Sequence, residues 1–372
     1  MRASAARFGS AKKLQRMRAS ISLLLAVGLL GVLPAAAQSS GGDYGFAWLL
    51  SAPSAQTAGL GGWQLRTDGR DPALAGWNPA SLNAETHAVA HLSQDFLPTG
   101  AGRSIAAAAY RAGGFDLGAS VGYVGFGEFT SRDPTGAPSG EFNAREYALG
   151  LAAAKHLDER LHVGLQLQFV GGTIERFSSA GAVVSAGALY TPDSAGLTVI
   201  GLQLQNAGFV WDDYADASEV AQPMPLALSL GVSRRLRYLP LRVGVLYRRL
   251  DRWNLLYDDP DRREENLLIG VDAEGPSEAS QTLDNFARHF SFNAEFYIGG
   301  NELLQLRVGY DHQRQREARV GDFRSLAGFS YGLGLNLRRL RLDFGRTVQH
   351  LAGGSTHVGL LVDFAPPARS KA

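Results

Sequence analysis

The sequence predicts an all-β protein, a transmembrane antiparallel β-barrel of about fourteen strands with an N-terminal plug segment. Three observations lead there. Beyond residue 84 the chain alternates apolar with small or polar residues, the period of a strand whose side chains point to opposite faces. The alternating stretches run about 9–12 residues, the length a tilted membrane strand needs. Short connections alternate with much longer ones, as in barrels whose periplasmic turns are short and whose outer loops are long.

Composition narrows the function classes. Of 372 residues none is Cys, which removes disulfides, Cys-ligated zinc, iron–sulfur centres and thiol catalysis. A mean hydropathy of −0.08 rules out a bundle of membrane helices. The 45 Gly follow no Gly-X-Y period, so collagen is excluded.

The first element is an address. Residues 1–20 carry Arg2, Arg7, Lys12, Lys13, Arg16 and Arg18 with no acid. Ile21–Leu33 is apolar, and Pro34-Ala35-Ala36-Ala37 is a small-residue cleavage site, so 1–37 reads as a secretory signal cut before Gln38. Met17 is an alternative start with a complete signal of its own. Removing 1–37 takes the net charge from +1 to −5, which gives no electrostatic case for nucleic acid. Residues 38–84 lack alternation and are rich in Gly, Ala, Ser and Trp; they are expected to fold inside the lumen as the plug.

The barrel is expected over 85–364, with a short tail at 365–372. Its strands are placed at 85–96, 102–111, 114–125, 144–155, 161–172, 180–191, 197–207, 224–234, 240–250, 289–298, 302–312, 326–337, 340–349 and 356–364. In Leu161–Phe169, Leu, Val and Phe share one face and His, Gly and Gln the other. A Gly, Ser, Asn and Gln face suits a packed or wet lumen. Tyr110, Tyr123, Tyr190, Tyr247 and Tyr310 sit at strand ends, where an interfacial girdle would stand. The long outer loops are 126–143, 208–223, 251–288 and 313–325. An even strand count puts both ends in the periplasm. The last strand, ending on Phe364, resembles the C-terminal assembly signal of outer-membrane barrels.

Catalytic and metal motifs carry little. Gly118-Ala119-Ser120-Val121-Gly122 and Gly328-Phe329-Ser330-Tyr331-Gly332 match the nucleophile-elbow pattern, but both lie within alternating strands, where the elbow needs a strand turning into a helix. No enzyme activity and no cofactor is expected. His350 and His357 flank a Gly-rich hairpin without a carboxylate nearby, so no metal site is assigned. Asp258-Asp259-Pro260-Asp261 and Asp212-Asp213-x-x-Asp216 lack the EF-hand pattern and read as solvated loop charge. Arg234-Arg235-x-Arg237 and Arg338-Arg339-x-x-Arg341 fall at periplasmic turns, where lipid phosphates or a partner could meet them.

Several blocks carry a family resemblance. Phe46-x-x-Leu49-x-x-Pro53-Ser54-Ala55-Gln56-x-Ala58-x-Leu60-Gly61-Gly62, followed by Trp77-Asn78-Pro79-Ala80-x-Leu82, resembles the opening of the PorV and PorQ families. Those are FadL-like outer-membrane barrels of the type IX secretion system. Gly140-Glu141-Phe142 leading to Tyr147-Ala148-Leu149, Arg252–Pro260, Arg288–Phe292 and His350–His357 resemble PorQ rather than PorV. Pro53 and Gln56 depart from the family's pattern.

The resemblance implies a non-enzymatic component in the outer membrane of a diderm bacterium, holding a cell-surface attachment partner such as PorZ. A surface glycolipid is a further possible partner. Leu60, Gly61, Gly62, Asn78 and Pro79 are the plug motif. The loop at 251–288 is the expected docking element, because Arg252, Trp253, Leu255, Leu256, Tyr257, Asp258 and Asp259 mix an apolar anchor with a charged rim. The alternative is a FadL-like channel for hydrophobic small molecules, which would need an apolar lumen pocket supplied by Trp48, Trp63 and Trp77.

Overall fold

The computed structural model describes residues 44–62, 64–65, 70–98, 100–212, 214, 222–256, 277–318, 326–350 and 353–365. The signal segment and, beyond Ala365, the C-terminal tail therefore lie outside the described residues. Fourteen antiparallel strands close into one barrel in which every strand pairs with its neighbours in sequence. In order they are β1 Val89–Phe96, β2 Gly102–Ala112, β3 Phe115–Arg132, β4 Pro138–His156, β5 Leu161–Ile174, β6 Phe177–Tyr190 and β7 Thr198–Asp212. They continue as β8 Ala227–Arg235, β9 Leu241–Tyr247, β10 Phe290–Ile298, β11 Leu304–Asp311, β12 Phe329–Leu337, β13 Leu340–His350 and β14 Gly353–Asp363. β1 seals against β14 in a continuous register from Val89 opposite Asp363 to Phe96 opposite Thr356. Closure leaves no unpaired strand edge, the condition hydrocarbon imposes on a sheet.

The alternation resolves with the apolar face outward. Leu151 is 69% exposed and Leu165 and Leu167 are each 56% exposed, whereas Gln166 between the two is 1% exposed. That is the inverse of a soluble sandwich and the arrangement of a barrel dissolved in lipid. Tyr110, Tyr123 and Tyr190 face outward as an aromatic girdle requires.

All four loop expectations need correction, beginning with 208–223, into which β7 runs as far as Asp212. Residues 126–143 are not an open loop: β3 and β4 run on as a two-stranded ribbon that turns at Asp133–Ala137. The turn-like Gly125-Phe126-Gly127 is a bulge, where the register slips between Gly125 and Gly127. Beyond it Phe129 stacks on Phe142 at 5.4 Å. The loop at 251–288 contains helix α2 (Glu278–Arg288), capped by Ser277, whose hydroxyl accepts from Ser280 N. The loop at 313–325 begins as helix α3 (His312–Glu317), capped by Asp311. β1 starts later than expected, at Val89, because Asn83 caps a 3-10 turn over Ala84–Thr86.

The plug precedes β1 and is built from short turns. Helix α1 (Ala55–Gly59) is entered through a capping box, in which Thr57 N donates to Ser54 Oγ and Ser54 N donates to Thr57 Oγ1. Two 3-10 turns follow at Pro72–Gly76 and Pro79–Ser81, each with Pro at its start and an Asp or Asn cap before it.

Candidate functional site: the plugged lumen

The plug motif sits against the wall. Leu60 is buried, and Gly61 and Gly62 have φ of +90° and +76°, which turn the chain after α1. Asn78 is fully buried: its Oδ1 accepts from Ala80 N at 3.1 Å and its Nδ2 donates to Leu65 O at 3.2 Å, so one side chain ties the Pro79–Ser81 turn to the earlier plug segment at Leu65. The wall makes room for the plug backbone by omitting side chains. A Cβ on Gly309 of β11 would stand 2.1 Å from Gly61 N, and one on Gly164 of β5 would stand 2.4 Å from the carbonyl carbon of Pro79. The plug motif thus divides between two parts of the wall: Leu60 and Gly61 lie against β11, and Asn78 and Pro79 lie against β5 and β6.

Charged side chains on the lumen face then bolt the plug in place. On β10–β13, Arg307 is fully buried; its Nε donates to Glu295 at 2.7 Å and its Nη1 to Asp343 at 2.6 Å. Arg341 donates to Asp343 at 2.8 Å and to Oε1 of Gln56 on α1 at 2.6 Å. Tyr297 donates to Glu295 at 2.7 Å. Arg242 of β9, opposite Glu295, also donates to Tyr297 Oη at 3.3 Å, so three guanidiniums and two carboxylates meet in this buried cluster.

A second cluster lies on β1, β2 and β14. Arg103 Nε donates to Asp95 at 2.7 Å, and its two terminal nitrogens donate to the plug carbonyls of Trp48 and Ala52. His357 Nδ1 is 2.7 Å from the other Asp95 oxygen, and its Nε2 is 3.2 Å from Thr347 Oγ1. His357 is therefore committed to a structural ion cluster. Smaller ties are Asp71 to His91 at 3.2 Å and His162 Nδ1 to Ala80 O at 2.8 Å.

Apolar clusters add to these ties. Trp77, Leu65 and Leu74 of the plug pack with Leu189, Val199 and Leu246 of the wall. Phe46 and Leu49 pack with Ala148, Val170 and Val183, with Trp48 alongside. Between Trp48, Trp77, Arg103 and Gln168 a void of about 40 Å³ remains. That volume holds a water or two, and falls well short of the roughly 150 Å³ that accepts a benzene. Trp63, the third tryptophan assigned to a greasy pocket, lies outside the described residues.

The docking residues on the outer loop divide. Trp253 is 64% exposed, and Arg252 lies over the Tyr44 ring at 4.8 Å. Leu255 is 2% exposed, a correction to its reading as a contact residue: its amide donates to Asn285 Oδ1, and Asn285 Nδ2 donates to Trp253 O. It anchors the loop to α2, and Leu256 is half-buried beside it. The exposed apolar groups here are Trp253, Leu283 of α2 and Leu326. Tyr257, Asp258 and Asp259 lie outside the described residues.

Both nucleophile-elbow matches are strand segments. Gly118, Ser120 and Gly122 face inward on β3, with Gly122 under the Trp48 ring, and Ser330 is buried on β12. Among the described residues no group of three or more His, Asp and Glu could hold a metal.

No family model and no curated protein matches the chain. Solved structures of similar fold do exist. The monoaromatic hydrocarbon channel CymD aligns with a TM-score of 0.53 at 15% identity, covering 87% of this chain and all of that one. The toluene transporter TodX of P. putida aligns at 0.51 and 10% identity, covering 85% of this chain and all of that one. The toluene transporter TbuX of Ralstonia pickettii aligns at 0.50 and 14% identity, covering 84% and 97%. At these identities the likeness establishes the fold alone, a closed antiparallel β-barrel of the kind these channels share.

Proposed function

We propose that this barrel is a closed outer-membrane scaffold that presents its outer loops to a surface partner, in the manner of the PorQ component of type IX secretion. The observation that carries the reading is the plug. Hydrogen bonds from the buried Arg103 and Arg341 and the glycine clearances tie it to the wall, and the gap beside Trp48 and Trp77 measures about 40 Å³. The five motif blocks quoted above resemble PorQ and direct the proposal to that family. Trp253, Leu283 and Leu326 are exposed apolar side chains on the outer-loop segments, the residue chemistry of an interface anchor. The test is a native pull-down of the tagged barrel from solubilised outer membranes. A surface protein in near-equal amount, lost on deleting 255–285 from a barrel that still assembles, supports the scaffold; a partner retained after the deletion refutes the docking assignment.

A second reading is favoured by the fold comparisons, which by themselves lean toward it: a channel for hydrophobic small molecules, as the hydrocarbon transporters are named. It requires the plug to shift enough to open a path. Uptake of toluene or a fatty acid into proteoliposomes by the unmodified barrel would select it over the scaffold.

A further inference from the structure

The short-turn rim carries a surface unrelated to the plug or the outer loops. The β6–β7 and β8–β9 connections stand side by side there and enclose a groove of about 570 Å³. Leu197, Leu236, Tyr238 and Leu239 form its apolar walls, and Arg234 and Arg237 its cationic edge. The groove lies on the outer side of the barrel. Ser233 is buried in the lumen, so Arg234 next to it points outward, level in the sheet with Thr198 and Val243. Val232, Ile200 and Val243, all exposed, continue the groove along the lipid-facing wall.

Its chemistry is that of a lipid headgroup site. In barrels of this type the short turns face the periplasm, so the groove stands at the headgroup level of the inner leaflet. Tyr238 is 91% exposed, a position natural for a ring held between headgroups and acyl chains. Arg237 is exposed and has no ion-pair partner among the described residues. The one carboxylate present, Asp193, accepts from Leu197 N at 2.8 Å and Thr198 N at 2.7 Å, so it staples its own turn. Arg234 lies close enough to act on that charge. Two guanidiniums against one occupied carboxylate leave a net positive groove with a greasy floor.

We propose that this groove binds an anionic phospholipid of the periplasmic leaflet, its phosphodiester on Arg234 and Arg237 and an acyl chain along Ile200, Val232 and Val243. The site is independent of whether the barrel acts as scaffold or channel. To test it, the full barrel is reconstituted in equal parts phosphatidylglycerol and phosphatidylcholine, and its retained lipids are counted by native mass spectrometry. Phosphatidylglycerol should be enriched on the wild type. Arg237→Gln, in an exposed turn, should lower that preference about fivefold, and the double variant with Arg234→Gln about thirtyfold. Folding of each variant is checked by its gel mobility before and after heating. Equal retention of the two lipids, an undiminished preference in folded variants, or displacement of the lipid by inorganic phosphate alone would overturn the proposal.

Discussion

If Gly309 exists to let the plug backbone touch the wall, a side chain there should dislodge the plug and spare the strand. Gly309→Val is the perturbation. A Cβ at 2.1 Å from Gly61 N and 2.2 Å from Leu60 C meets backbone, which no rotamer change can clear. The plug must retreat by about 1 Å to restore ordinary contact, and overpacking of this kind costs about 1–3 kcal/mol. Valine is itself a good strand residue, so β11 should keep its pairing with β10 and β12. The absence of native cysteine gives a clean reporter: Ala52→Cys, at a buried plug position, is the sole thiol. Maleimide labelling through local opening should quicken about fivefold to 150-fold in the Gly309→Val background. Gly300→Ala, with nothing within 4 Å of its Cβ, is the control and should not change the rate. Unchanged labelling in a folded Gly309→Val barrel would show that the plug does not depend on this contact.

Other outcomes follow from the same geometry. Arg307→Met leaves Glu295 unpaired and Asp343 with Arg341 alone, and should destabilise the barrel by about 3–5 kcal/mol, read as a lower temperature for the heat-dependent gel shift. Asn78→Ala removes the cap of the Pro79–Ser81 turn and the bond to Leu65, and should loosen the plug by about 1–2 kcal/mol in the same labelling assay. Hydrogen bonds from Leu197 N and Thr198 N, with Arg234 beside them, hold the Asp193 carboxyl below its ordinary value. The turn's stability is therefore full above the unfolded value of about 3.9 and is lost as pH falls through the lower folded one. Amide shifts of Leu197 and Thr198 should report that loss, and Asp193→Asn should abolish its pH dependence.

The barrel was legible because a strand's period of two survives in a single sequence, and each of the fourteen strands overlaps an expected stretch, although β3, β4 and β7 run well past theirs. Turn chemistry was less so. Gly125-Phe126-Gly127 carries the composition of a turn and acts as a bulge, because Phe129 and Phe142 hold the ribbon together beyond it. The ion clusters were not read at all, since alternation marks a residue as lumen-facing without saying what it meets. Gln56 and Arg341 are 285 residues apart in sequence, and His357 and Asp95 are 262 apart. A signal for one pair existed: Glu295 and Arg307 stand directly opposite in the β10–β11 hairpin, and both fall on its polar face. The plug-motif residues were recognisable from the resemblance, yet their complement, the glycines of the wall, read only as small lumen positions. Leu255 shows the converse limit, a hydrophobic residue in a polar loop that the loop's own helix covers.

The position of the plug in the chain constrains the order of assembly. The plug is translated before any strand, yet it touches strands from both ends of the ring: Arg103 near the start, Arg341 and Gly309 near the finish. A ring that sealed while empty would hold Glu295, Arg307, Asp343 and Asp95 around water, and late entry of the plug would have to strip that water through a rim. Wrapping the strands around a plug already in hand lets each charge exchange solvent for its partner as its strand arrives. Such an order would leave the β1–β14 seam as the last contact to form, with the plug as the mandrel on which the wall is wound.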